Sequence, residues 1–257
     1  MLKYARSNPK NKAMSGHSHF ATIRRQKEVK DAAKGQIFSK MARLITIAAK
    51  TGGGPDPESN YKLWSMIEKA RTYNMPKDNI ERAISKAMGG DALEEITYEG
   101  FGPKGVSVMI ETATDNRNRT AQTIKGMLEK AGGSLGGPGS VAYNFEPKGF
   151  ILVTKQTDVD SQMLSLIDLG AEDVEEQSDG VGVYVSPSRL REVKEKMTTG
   201  GQTVVSSELI QKPKNFVELE TEAEVEKFVN FIDLLEDHDD VNRVFTNVDI
   251  PDHLIKK

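Results

Sequence analysis

Seven basic residues near the start of the chain carry its most pointed chemistry. Arg24, Arg25, Lys27, Lys30 and Lys34 lie just before and along the polar start of a helical stretch, and Lys40 and Arg43 sit three apart on one flank of it. Ammonium and guanidinium donors on a rigid element are the groups that contact phosphates, each contact releasing condensed counterions. A second pair, Arg117 and Arg119, falls in the run Thr114-Asp115-Asn116-Arg117-Asn118-Arg119-Thr120, between a strand and a helix. A helix N-terminus already favours anions. These two arginines are therefore expected either to form a second contact surface or to belong to a segment whose work is N-capping, through Thr114 or Asp115. Base readout needs a helix whose side chains reach base edges, and none stands out.

Other chemistries find less support. The run Gly132-Gly133-Ser134-Leu135-Gly136-Gly137-Pro138-Gly139-Ser140 has the composition of an anion cradle. It lacks the Lys-Ser/Thr of a phosphate-binding loop, and no G-x-G-x-x-G opens a helix after a strand. Helix ending, loop and strand entry account for these glycines. His17 and His19 flank Ser18, and His238 sits inside Glu236-Asp237-His238-Asp239-Asp240, which reads as a solvated turn. Neither group has the spacing of a catalytic metal site. The chain has no cysteine, which excludes disulfides and thiolate chemistry. No catalytic residue, cofactor, metal or small-molecule substrate is expected.

The elements that must position these groups can be traced by periodicity. Residues 26–50 read as a helix in which Ile37, Met41, Leu44, Ile45 and Ala48 form one apolar stripe. Gly52-Gly53-Gly54-Pro55 ends it, and Asp56-Pro57 is expected to cap the next helix, which buries Leu63, Ile67 and Ala70. A third helix opens near Pro76 and carries Ile80, Ala83, Ile84 and Ala87 until Gly89-Gly90. Beyond Asp91 strands are expected at 106–111, 141–145 and 150–155, with a helix at 116–130 after the first. The order from 150 to 210 is β-α-β-β-α-β, that of a ferredoxin-like unit. A closing β-α-β at 216–246 matches the one at 106–146.

The fold class expected is therefore α+β and multi-domain: a small three-helix N-terminal domain, then two α/β ferredoxin-like domains, one discontinuous. The boundaries expected are a disordered extension at 1–14, a basic helical domain at 15–90, a discontinuous domain at 91–148 plus 212–257, and an inserted domain at 149–211.

Charge divides along the same line. Residues 1–90 hold 18 Lys and Arg against 7 Asp and Glu, whereas the remainder holds 17 against 31. Such asymmetry points to an anionic partner for the basic part, nucleic acid before others. No stretch approaches the about 20 consecutive apolar residues of a membrane span, so no membrane partner is expected. The first residues have no apolar core of a signal peptide, and the expected location is cytoplasmic.

Several motifs together resemble the YebC/PmpR family, which includes the mitochondrial translational activator of cytochrome oxidase. They are Gly16-His17-Ser18, Asp56-Pro57 with Asn60, Asn74-Met75-Pro76-Lys77-Asp78-Asn79-Ile80, Tyr98-Glu99-Gly100-Phe101-Gly102-Pro103, the run 114–120, and Gly139-Ser140-Val141. The resemblance implies a three-domain protein and a DNA-binding transcriptional regulator, or else a ribosome-associated translation factor that binds ribosomal RNA and assists elongation through sequences such as proline runs. It also implies nucleic-acid contact at Gly16, His17 and Ser18 and along the basic first helix. One departure stands out: His19-Phe20 replaces the family's usual Lys-Trp, which removes a charge from that tip.

If the first-helix lysines touch phosphate, replacing Lys27, Lys30 and Lys34 with Ala flattens the plot of log K against log salt concentration by roughly 0.7–0.9 for each phosphate no longer neutralised. An unchanged slope in a binding titration marks them as merely solvated.

Overall fold

The structure, a computed structural model, describes residues 34–89 and 93–254. Its first three helices are α1 (Lys34–Thr51), α2 (Tyr61–Thr72) and α3 (Lys77–Met88). The apolar stripe of α1 packs Met41, Leu44, Ile45 and Ala48 against Leu63, Ile67 and Ala70 of α2 and Ile80 and Ala83 of α3. The expected start of the first helix, before residue 34, lies outside the described residues. The cap of α2 differs from expectation. Asp56 accepts from Glu58 N at 2.9 Å and so shapes the loop, while Asn60 is the N-cap, accepting from Leu63 N at 2.9 Å. Asn60 is fully buried, and its Nδ2 also donates to Ala48 O at 2.9 Å and Gly54 O at 2.7 Å. One side chain thus ties the end of α1, the loop and the start of α2. Gly52 makes room for it, since a Cβ there would stand 2.2 Å from Asn60 Oδ1.

The rest of the described chain forms two four-stranded sheets and one two-stranded pair. The first contains β1 (Glu94–Phe101), β2 (Ser107–Thr114), β3 (Ser134–Leu135) and a strand from the chain's far end, Val241–Thr246. Helix α4 (Arg117–Lys130) follows β2. The second sheet arises from β4 (Phe145–Val153), α5 (Val159–Asp168), β5 (Asp173–Gln177), β6 (Gly180–Val185), α6 (Leu190–Thr199) and β7 (Val204–Pro213). Its order is β5-β6-β4-β7, antiparallel throughout, which is the ferredoxin-like arrangement of a β-α-β-β-α-β unit. Then come β8 (Val217–Glu218), α7 (Glu222–Glu236), β9 (Val241–Thr246) and β10 (Val248–Asp249). Strand β9 returns to pair antiparallel with β2, giving the order β3-β1-β2-β9, while β8 and β10 form a separate parallel pair. The described chain is thus an α+β fold with a helical region followed by two α/β units.

Each sheet has helices on one face and the other sheet on its opposite face. Ile151, Val153, Val181, Val183 and Val185 pack under α5 and α6 with Leu166, Val193 and Met197. Their neighbours Phe150, Leu152 and Tyr184 point the other way and meet Met109 of β2 and Phe245 of β9. Alternate side chains of one strand therefore serve two cores. Both faces being covered, β6 and β9 are buried along their whole length.

Two strand expectations are corrected, and one strand is added. In place of the strands expected at 141–145 and 150–155 there is one strand, β4, over Phe145–Val153, and Ala142–Asn144 before it is a short 3₁₀ turn. Pro147 reads as a break, but it lies in the half of β4 that pairs only with β7, so the missing N–H leaves no gap in a two-sided ladder. Strand β1 was not expected at all, because its first half, Glu94-Glu95-Ile96-Thr97, is mostly exposed and carries little apolar pattern.

Replacing Asn60 with Ala is expected to cost about 1–3 kcal/mol, since it removes the cap of α2 and leaves the Ala48 and Gly54 carbonyls, one buried and one partly buried, without that donor. Urea denaturation followed by the fluorescence of Trp64, which lies on α2, measures it; a midpoint equal to wild type would contradict the assignment.

Candidate nucleic-acid interface

Of the basic residues singled out in the sequence, Arg24, Arg25, Lys27 and Lys30 lie outside the described residues, as do Gly16, His17 and Ser18. Lys34 opens α1. Lys40 and Arg43 are placed differently from expectation. They do not stand on an open flank but reach across to the turn that ends α7. Lys40 Nζ donates to Glu236 O, and Arg43 Nη1 donates to Asp239 O at 2.5 Å and stands 3.6 Å from Asp240 Oδ1.

The same carboxylate receives the second arginine set. Arg119 Nη2 lies 3.1 Å from Asp240 Oδ2 and 2.8 Å from Asp115 Oδ1. Thr120 Oγ1 donates to Asp240 Oδ2 at 2.7 Å, and Ala113 N donates to Asp240 O at 2.9 Å. Two basic groups that the sequence presents as separate surfaces thus converge on one acidic residue. The acidic run 236–240 is a turn, as its composition suggests, but an engaged one, with His238 Nδ1 accepting from Asp240 N at 3.1 Å. Burial alone would raise the Asp240 carboxyl. The hydrogen bonds from Thr120 and Arg119 and the Arg119 charge outweigh burial and hold it below the ordinary carboxylate value. At the start of α4 the cap is Asn116, which accepts from Arg119 N at 3.1 Å; Thr114 Oγ1 in turn accepts from Asn116 N at 2.9 Å. Arg117 is exposed and makes no ion pair with a described residue.

The outward face of α2 is also committed. Lys69 pairs with Glu208 of β7 at 3.1 Å, and Glu68 pairs with Lys194 of α6 at 2.6 Å. Trp64 lies beneath Arg191 and Lys194, 5.9 Å and 5.1 Å from its ring centroid. These contacts press α2 against the second sheet and leave α3 facing outward. On α3, Arg82 and Lys86 stand one turn apart, exposed, and pair with no carboxylate among the described residues. Sequence reasoning passed over them; their i, i+4 spacing opposite Ile80, Ala83 and Ala87 was the available signal.

The end of the glycine-rich run and the two residues after it cradle an anion, and the anion is the chain's own. Glu99 of β1, 9% exposed, accepts from Gly139 N at 2.7 Å and from Val141 N and Ala142 N at 2.8 Å each. Gly139 adopts a φ of 84°, open to glycine at little cost. Burial pushes the Glu99 carboxyl up, yet the three backbone donors prevail and lower it. Among the described residues no three His, Asp or Glu side chains converge as metal ligands would, and no helix is long and apolar enough to cross a membrane.

Two family models match the chain. Residues 18–90 match the family model described as the TACO1/YebC protein N-terminal domain, and residues 93–248 match the TACO1/YebC second and third domain. A relative from Dictyoglomus thermophilum, named probable transcriptional regulatory protein, is 44% identical over 248 residues, covering 95% of this chain and 99% of its own. One of the same name from Roseiflexus castenholzii is 45% identical over 252 residues, covering 95% and 98%. The crystal structure of a conserved hypothetical protein from Aquifex aeolicus superposes with a TM-score of 0.78 at 40% identity, covering 90% of this chain and 97% of that one.

Asp240→Asn is expected to loosen α1 from the turn after α7, at a cost of about 1–3 kcal/mol. Because the folded-state pKa of Asp240 is depressed, its contribution is complete above the unfolded value of about 4 and is lost as pH falls through the lower, folded value. Amide hydrogen exchange in α1 should therefore quicken in the variant at neutral pH, and the gap to wild type should close in acid. Equal protection at neutral pH would refute the tie.

Proposed function

The chain belongs to the TACO1/YebC family, and from that premise we propose that it is a cytoplasmic, non-enzymatic regulator of gene expression that binds nucleic acid, with DNA as its target. The observation that carries this reading is α3. With α1 tied to the turn at 236–240 and α2 pressed on β7 and α6, α3 carries two exposed basic groups, Arg82 and Lys86, that pair with no carboxylate among the described residues, whereas its Lys77 pairs with Glu81 at 3.4 Å. The connection between α2 and α3, residues 73–76, has the length of the turn in a helix-turn-helix. Asn74 takes a left-handed φ of 57° there, and Pro76 starts α3, so the motif Asn74-Met75-Pro76 is the device that sets one helix against the other. In this reading α3 lies against the duplex with Arg82 and Lys86 on its phosphates, joined by the basic residues that precede α1. Arg117, at the start of α4, is available for a further contact, whereas Arg119 is held by Asp115 and Asp240.

A ribosome-associated translation factor binding ribosomal RNA is the second reading. What favours it is the modest charge of α3: Asp78 and Glu81 share the helix with Lys77, Arg82 and Lys86, while Lys40 and Arg43 are occupied within the fold. Crosslinking the tagged protein to nucleic acid in its own cells and sequencing what is recovered separates the two. Promoter DNA supports the first, ribosomal RNA with translated messages the second. Recovery of neither would turn attention to the cleft of about 220 Å³ between α1, α2 and β7, lined by Leu44, Met66, Leu209 and the Glu111–Arg243 pair.

In vitro, the variant carrying Arg82→Ala and Lys86→Ala should bind duplex DNA with a salt slope lower by roughly 0.9 for every phosphate these side chains neutralise in the wild type. Unaltered affinity and slope would remove α3 from the interface.

A further inference from the structure

Between α1, α2 and the two sheets lies a cleft of about 220 Å³. It is larger than the cavity of about 150 Å³ that holds one benzene and smaller than the about 300–1,000 Å³ of a drug-sized ligand's site. One small molecule fills such a space. Much of its wall is apolar, with Leu44 and Ile47 of α1, Met66 of α2 and Ile210 of β7 all buried.

Five charged side chains also line it: Lys62, Glu95, Glu111, Lys148 and Arg243. Three of them are matched within the fold. Arg243, 6% exposed, stands 3.5 Å from Glu111, donates to Leu209 O and lies 4.6 Å from the Phe245 ring centroid. Lys148 pairs with Glu146 at 2.9 Å and with Glu172 at 3.1 Å. The side chains of the other two, Lys62 of α2 and Glu95 of β1, make no hydrogen bond or ion pair with a described residue. They are near enough for the Lys62 charge to favour the Glu95 anion, but no ion pair closes between them. Burial is the largest influence on the Glu95 carboxyl and pushes it up; the Glu111 charge adds to this, and Lys62 and Arg243 offset only part of the rise. An anion in such a place is stabilised by a cation brought to it.

We propose that this cleft binds a small zwitterion of the amino-acid kind, its ammonium on Glu95, its carboxylate on Lys62 and its apolar side chain against Leu44 and Met66. The inference goes beyond the nucleic-acid reading and does not depend on it. Charge complementarity selects the ligand. A simple amine leaves Lys62 unmatched, and a simple carboxylate leaves Glu95 so. A molecule with both charges answers both, and the apolar wall favours an aliphatic or aromatic side chain. Because the lining comes from the helical region and from both sheets, the ligand touches all three and stabilises their arrangement by mass action.

Calorimetric titration of the full chain with L-leucine and L-phenylalanine reads binding directly. Methyl labelling of the methionines places it, since Met66 lines the cleft and Met66→Leu identifies its signal. At least one amino acid should bind one-to-one and shift that signal. The matching acids, isocaproate and hydrocinnamate, lack the ammonium; the matching amines, isoamylamine and phenethylamine, lack the carboxylate. Each should bind about tenfold or more weakly than its amino acid. Glu95→Gln should weaken the amino acid about tenfold without weakening the acid, and an unchanged methyl spectrum without ligand shows that the variant is folded. Heat without a Met66 shift, or an acid or amine that binds as tightly as its amino acid, overturns the proposal. So does silence from both amino acids up to about 10 mM. None of these outcomes touches the nucleic-acid reading.

Discussion

Asp240 sits where three parts of the chain meet, and its partners decide which faces of the molecule remain open. Its carboxylate accepts from Thr120 and lies within ion-pair distance of Arg43 and Arg119, while its carbonyl accepts from the edge of β2. A carboxylate at this degree of burial is tolerated only when its oxygens are matched. Removing any one partner leaves a charge under-compensated, so the three segments hold one another in place. Because α1 is drawn toward this turn, Lys40 and Arg43 are engaged by it, while Arg82 and Lys86 of α3 pair with no carboxylate among the described residues.

The sheet-on-sheet core makes that geometry rigid. Met109 and Phe245 from one sheet and Phe150, Leu152, Tyr184 and Ile210 from the other form a shared apolar layer. Its depth fixes the second sheet relative to the first, and hence β7 and α6 relative to α2. The ion pairs Lys69–Glu208 and Glu68–Lys194 are partly exposed and individually worth little; packing of Trp64 and the shared layer carry most of the positioning.

Much of this architecture is legible in the sequence, where one period dominates. The stripe Met41, Leu44, Ile45, Ala48 repeats at helical spacing and packs as read, and the β-α-β-β-α-β order survives because its helices α5 and α6 are amphipathic. What escapes are elements whose side chains answer to two environments. β1 is half exposed, and β4 contains Pro147 where a ladder is expected to be continuous. The site was harder to see. Charge marks Lys40, Arg43 and Arg119 as basic but says nothing of where they point, and their partners at 236–240 lie almost two hundred positions from α1. Glu99 is still less visible, since its three ligands are backbone N–H groups that leave no side-chain signature.

The pairing of β2 with β9 bears on how the molecule is made. Ile110 lies opposite Val244, more than half the chain away. During synthesis the second sheet, continuous from β4 to β7, is complete while the first still lacks its last strand. β2 then presents a row of unpaired N–H and C=O groups beside an apolar face, the kind of edge that recruits stray strands. The inserted sheet, already packing Phe150 and Leu152 toward Met109, shields one face of that unfinished sheet. An insertion between the halves of a split sheet thus serves as its own temporary cover, and a chain cut short before β9 would carry the exposed edge permanently.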